Sequence, residues 1–190
     1  MKNLTAGKIA AISISSVFAL IIIIGIATYN GLVKKYEVVE QQKSNIETQL
    51  QRRADLIPNL VNTVKGYVKH EAEIIKQVSE SRAKLAGAKN IKEKADADSE
   101  MTSAISRLLV VAENYPDLKA NQEFTHLSDE LAGSENRLST ARKDYNEVAR
   151  NYNKSTKTFP GSIFARMFNF SSVEYFQAQS DAKNSPKVDF

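Results

Sequence analysis

Large apolar residues recur along this chain in two different patterns. From Ile9 to Ala27 they run almost without a break, interrupted only by Ser13, Ser15 and Ser16, and no charged residue occurs from Ile9 to Val33. About 20 such residues, rising about 1.5 Å each, cross the roughly 30 Å hydrocarbon core of a bilayer. The spacing then changes. Tyr29, Leu32, Val33, Tyr36, Val39, Ile46 and Leu50 recur at helical intervals, with Glu40, Gln41, Lys43 and Glu47 between them. That spacing is one apolar face of a helix.

Breaks divide the rest into further stripes. Pro58 is the only proline of the first half, and Asp55 precedes it. Inside a helix a proline costs about 3 kcal/mol. The expected boundary is therefore here, with Asp55 as N-cap and Pro58 in the first turn. The second helix is predicted from Leu56 to about Leu85 through Ile57, Leu60, Val61, Val64, Val68, Ile74, Ile75 and Val78, and Gly87 suits its C-terminal cap. Asn90–Ser99 holds Ile91 as its only large apolar residue and reads as a solvated loop. A third helix is expected to start near Asp96–Ser99 and to carry Met101, Ile105, Leu108, Leu109 and Ala112.

At Asn114-Tyr-Pro-Asp117 the device recurs, with Asn114 as the expected cap and Pro116 in the first turn. The fourth stripe is Leu118, Phe124, Leu127, Leu131, Leu138, Tyr145, Val148 and Tyr152, and Gly133 within it marks a site for close helix contact. Thr158-Phe-Pro-Gly161 stops this helix. Ile163, Phe164, Met167 and Phe168 then line one side of a short helix, before Phe170, Tyr175 and Phe176.

The layout predicted is a polar head (1–8), a transmembrane helix (9–29), a helical bundle domain (30–160), a short amphipathic aromatic helix (161–178) and a disordered tail (179–190). The fold class is all-α: an N-terminal transmembrane helix followed by an antiparallel up-and-down bundle of about four helices. Fewer, longer helices kinked at Pro58 and Pro116 are the alternative.

Charge sharpens this picture. The net charge is +4, and Lys2, Lys8, Lys34 and Lys35 account for it, since residues 1–35 hold no acid. Residues 36–190 are neutral overall, so a nucleic-acid surface is not expected. Gly25-Ile26-Ala27 has the small-x-small form of a signal cleavage site, but the apolar run exceeds a signal h-region, which favours an uncleaved single-pass anchor in the cell membrane. Lysines on both flanks leave the side of the soluble part open. With no cysteine, thiol chemistry and zinc knuckles are excluded.

Candidate chemistry is sparse. Glu123-Phe-Thr-His126 has the Glu-x-x-His spacing of bundle metal sites, but a second pair is missing: Tyr67 stands three residues before His70, the other histidine. Asp129 and Glu130 are adjacent and diverge on a helix. Arg52-Arg53 beside Asp55 reads first as ion pairing or carbonyl capping, and second as an anion site. Asn59, Asn62, Asn121, Asn136 and Asn146 lie on or beside the stripes, where buried amides would fix register. No phosphate loop or nucleophile elbow occurs. No catalytic, cofactor-binding or metal-ligating residue is assigned. The partners expected are the lipid bilayer, through the N-terminal helix, and another protein, with no nucleic acid and no small-molecule substrate. The aromatics of 163–176 either close the end of the bundle or meet a membrane or partner.

Several segments resemble the LemA family: Tyr29–Val33, Gln51–Val61 with Val64-Lys-Gly66, Glu113–Asn121 with Phe124, Glu135-Asn-Arg137, Ala141-Arg142, Tyr145-Asn146, Tyr152-Asn153 and Phe159-Pro160. The resemblance implies a single-pass N-terminal anchor and an antiparallel helical bundle, with the short N-terminus outside the cell and the domain in the cytoplasm. It implies no enzyme class and carries over no catalytic residue. The expected function is a non-enzymatic, membrane-anchored interaction or scaffold module; the competing reading is a hydrolase or metalloprotein whose site forms only in the fold. If Asp55 caps a helix, Asp55→Ala should cost about 0.5–2 kcal/mol.

Overall fold

The computed structural model describes residues 6–68 and 70–177, so the tail expected at 179–190 and most of the polar head lie outside the described residues. Six helices follow one another: α1 (Ala6–Lys65), α2 (Ala72–Gly87), α3 (Ile91–Ala112), α4 (Pro116–Lys119), α5 (Gln122–Lys157) and α6 (Gly161–Met167). No strand occurs among the described residues. Hydrogen bonds between helices give their directions. Gln77 with Arg107 and Lys84 with Glu100 set α2 antiparallel to α3. Gln49 with Arg137 and Arg52 with Glu130 set α1 antiparallel to α5. Glu47 with Lys94 and Arg53 with Asp98 set α1 parallel to α3. This is the all-α, up-and-down arrangement of four main helices that the apolar spacing predicts.

The chain forms two compact units, and α1 and α5 each contribute to both. One comprises Met1–Glu40 and Val148–Val173; the other comprises Gln41–Glu147 and Glu174–Phe190. In the first, the apolar run of α1 is uncovered: Ile14, Phe18 and Ile23 are 70%, 65% and 62% exposed. By length and composition α1 is the one helix among the described residues able to cross a membrane. In the second, α1 buries Ile46, Leu50, Arg53, Ile57, Leu60 and Val64, alternately four and three residues apart.

The helix boundary expected at Asp55 does not exist. α1 passes through Pro58 without a break, and Asp55 is exposed in mid-helix, accepting a hydrogen bond from the Gln51 amide at 2.8 Å. A proline cannot donate to the carbonyl four residues back, here that of Ala54. That oxygen accepts instead from Arg82 Nε on α2 at 2.8 Å. A side chain 28 residues away supplies the missing donor. The real end of α1 is at Lys65, where the amides of Tyr67 and Val68 both turn back to the Val64 carbonyl. Val68 is buried, so the stripe continues through the turn and conceals it in the sequence.

Three further boundaries differ. Asn90–Ser99 is not a loop but the start of α3. The Asn90 side chain accepts from the Glu93 amide at 2.8 Å, and the Glu93 carboxylate accepts from the Lys89 amide at 2.7 Å. These two bonds form a reciprocal cap around the first turn, and the second holds the Glu93 carboxyl below its ordinary range. Asn114 is not a cap: Pro116 starts the one-turn α4, and Asn121 caps α5, accepting from the Phe124 amide at 2.9 Å. Gly87 is the last residue of α2 rather than a left-handed cap, as no glycine among the described residues has positive φ. Gly133 meets no other helix; a Cβ there would meet the guanidinium of its own Arg137 at 3.2 Å.

Two outcomes follow for chemical denaturation of the detergent-solubilised chain. Asp55→Ala should move stability by less than about 0.5 kcal/mol, as for an exposed helical site. Arg82→Ala should cost about 1–3 kcal/mol by stranding the Ala54 carbonyl. The cost should shrink in a Pro58→Ala background, where the helix supplies its own amide. Equal costs in both backgrounds would show that Arg82 does not serve that carbonyl.

Candidate functional site

The most ordered polar chemistry lies inside the second unit, where α1, α3 and α5 meet. Arg53 takes a core position in the α1 stripe, and Asp98 takes one in the α3 stripe between Ala95 and Met101. Their side chains are 3% and 1% exposed. Arg53 Nη1 donates to Asp98 Oδ1 and stands 2.7 Å from Glu135 Oε2. Its Nη2 donates to the Thr102 hydroxyl at 3.0 Å. From α5, Arg142 Nη2 donates to Asp98 Oδ2, and its Nη1 lies 3.6 Å from Glu135 Oε1. Asp98 and Thr102 are one helical turn apart, and Glu135 and Arg142 two turns apart, so each pair shares a face. Two guanidiniums thus balance two carboxylates.

Burial pushes the Asp98 carboxyl upward, against the opposing pull of Arg53 and Arg142. Removing charge from water costs several kcal/mol per ion, so such a cluster contributes less to stability than apolar packing of equal volume would. What it supplies is register. A slide of any of the three helices by one turn separates the charges, and a buried Arg53 without a carboxylate is not tolerated.

The C-terminal segment is held by paired side-chain amides. In the second unit, Asn146 Nδ2 donates to the Phe176 carbonyl at 2.9 Å and its Oδ1 accepts from the Phe176 amide at 2.8 Å. The Tyr145 hydroxyl donates to the Glu174 carbonyl at 2.6 Å. The Phe176 ring is buried and lies 4.8 Å from the Arg142 guanidinium, a cation–π contact. In the first unit, Asn153 repeats the device with the Val173 backbone, at 2.9 and 2.8 Å. Each asparagine offers one donor and one acceptor, as a neighbouring strand would.

The residues singled out in the sequence are scattered. Glu123 and His126 lie exposed on the first turns of α5, and His70 is exposed before α2. Asp129 is exposed; Glu130 pairs with Arg52 at 2.7 Å, which holds its carboxyl below the usual range. Asn59, Asn62 and Asn136 are exposed and fix no register, while Asn146 is half-buried and paired. Arg53 caps no helix end. It was legible only in a continuous α1 frame, where it falls on the buried three-four spacing. A polar cleft of about 430 Å³ between α2 and α3 contains the exposed Lys84–Glu100 pair at 2.5 Å, and hydrogen bonding to Glu100 raises Lys84.

Asp98→Asn should cost about 3–5 kcal/mol in urea denaturation, because it leaves Arg53 buried without its main carboxylate. Replacing Arg53, Asp98, Glu135 and Arg142 together by apolar residues of similar volume should cost much less. A quadruple variant as unstable as the single one would show that the charges themselves stabilise the fold.

Comparison with known proteins gives the family. The LemA family model matches residues 42–190. Magnetosome protein MamQ 2 of Paramagnetospirillum magneticum is 27% identical over 98% of this chain and 79% of its own length. Magnetosome protein MamQ of Magnetospirillum gryphiswaldense is 28% identical, over 94% of this chain and 74% of its own. Protein LemA of Metamycoplasma hominis is 25% identical, over 78% and 68%. The charge cluster and both Tyr-Asn pairs fall within the matched region, and the chain belongs to the LemA family.

Proposed function

We propose that this LemA-family chain is a non-enzymatic scaffold, anchored in the cell membrane by a single pass and presenting its helical unit to a protein partner. One observation carries the reading: α1 runs unbroken from Ala6 to Lys65, so the same helix is an exposed apolar rod at one end and a core element at the other. Left in water, a rod bearing Ile14, Phe18, Ile21 and Ile23 on its surface would exceed the apolar patch that soluble proteins carry. A bilayer removes that cost, and Lys34 and Lys35 sit where headgroups would be.

The polar groups support a structural role in the same way. Arg53, Asp98, Asn146 and Asn153 are spent on one another or on backbone.

Alkaline extraction of membranes bearing the full chain should leave it in the pellet, and detergent should release it. Release by alkali alone would overturn the anchor. Cross-linking in membranes, followed by purification in mild detergent, should return the same partner repeatedly. Recovery of the chain alone under several such conditions would overturn the scaffold role.

A further inference from the structure

We propose that α6, with its flanking residues Phe159 and Phe168, is a second membrane-inserted element, lying in the interfacial layer of the leaflet that α1 leaves at Tyr29. The inference rests on the anchor reading above and adds to it that the chain enters the bilayer twice.

The geometry begins at Gly25, inside the apolar run. A Cβ placed on Gly25 would stand 3.1 Å from both Cε1 and Cζ of Phe164, so the α6 ring is seated directly on the α1 backbone. An apolar cleft of about 400 Å³ continues this contact between Ile22, Ile26 and Tyr29 of α1 and Phe164 and Phe168. Tyr29 meets Phe168 and Phe170 edge-on, with ring centroids 4.9 and 5.7 Å apart. Gly25 precedes Tyr29 by four residues, or about 6 Å of helix. Interfacial helices bury their apolar face about 5–10 Å into the headgroup and acyl boundary. If α1 crosses a bilayer, whatever packs on Gly25 is in lipid.

The outer side of α6 has the composition that this place demands. Phe159 is 80% exposed, Met167 60% and Ile163 54%. Of the four residues expected to line one side of this helix, Phe164 rests on α1, while Ile163 and Met167 turn away. Arg166 is exposed beside them and long enough to reach phosphates from an immersed helix. Several backbone donors at the two ends of α6 find carbonyls within the segment, as a lipid setting favours. Ser162 donates to Thr158 at 2.8 Å, Ile163 to Pro160 at 3.2 Å, Phe168 to Phe164 at 2.9 Å and Phe170 to Ala165 at 2.9 Å. Gly161 makes the entry possible, because a Cβ there would fall 2.2 Å from the Ser155 carbonyl oxygen.

The cysteine-free chain gives a clean test. Full-length Ile163→Cys, Met167→Cys, Ile22→Cys and Lys34→Cys variants are labelled with an environment-sensitive dye and reconstituted in phosphatidylcholine vesicles. Nitroxides on the acyl chains quench from within the lipid, and iodide quenches from water. At positions 163, 167 and 22 the nitroxides should remove about half of the emission, with iodide having little effect, and at position 34 the order should reverse. Lipid quenching at 22 with iodide quenching at both 163 and 167 would overturn the insertion of α6 and leave the anchor standing. Iodide quenching at 22 would overturn the anchor, and the inference with it.

Discussion

A proline within a helix leaves one carbonyl without an amide, and the whole chain depends on how that carbonyl is met. Arg82 reaches from α2 to the Ala54 oxygen, and with that donor in place α1 has no reason to end at Pro58. A helix of 60 residues thus carries exposed apolar residues in the first unit and a packed seam in the second. Had the helix stopped at Asp55, the frame that sets Arg53, Ile57, Leu60 and Val64 on one face would have been lost.

That frame places a charge in the core. Arg53 lies on the seam of α1 as Asp98 lies on that of α3, and Arg142 and Glu135 complete the set from α5. Apolar stripes at three-four spacing pack nearly as well one turn out of register; buried charges do not. The residues on which the family resemblance rests include Arg53, Glu135 and Arg142. Their contacts with one another decide which arrangement of greasy helices is adopted.

The Tyr-Asn pairs solve a related problem. An extended segment following α6 has backbone groups that need partners and finds no sheet among the described residues. Asn146 and Asn153 present a donor and an acceptor each and act as the missing strand. Asn146 in particular seats Phe176 over Arg142, so the C-terminal segment also covers one side of the charge cluster.

The all-α class and the antiparallel order of the helices were legible in the order of residues alone. Periodic apolar residues specify helices, an uncharged run of membrane length stands apart from them, and short polar breaks force antiparallel neighbours. These are local properties, written in spacing. Cap chemistry is ambiguous at this level: Asn90 with Glu93, and Asn121, have it, but Asp55 and Asn114 have it too, and only the fold selects among them. Facts that need a second helix lay beyond that record. Pro58 is tolerated because Arg82 is near, and Arg53 is a core residue because Asp98 faces it. Ile163 and Met167 point outward because Gly25 draws Phe164 inward. A carbonyl, a charge or a ring has no preferred fate until its partner is in place, and those partners lie 28, 45 and 139 positions away in the sequence.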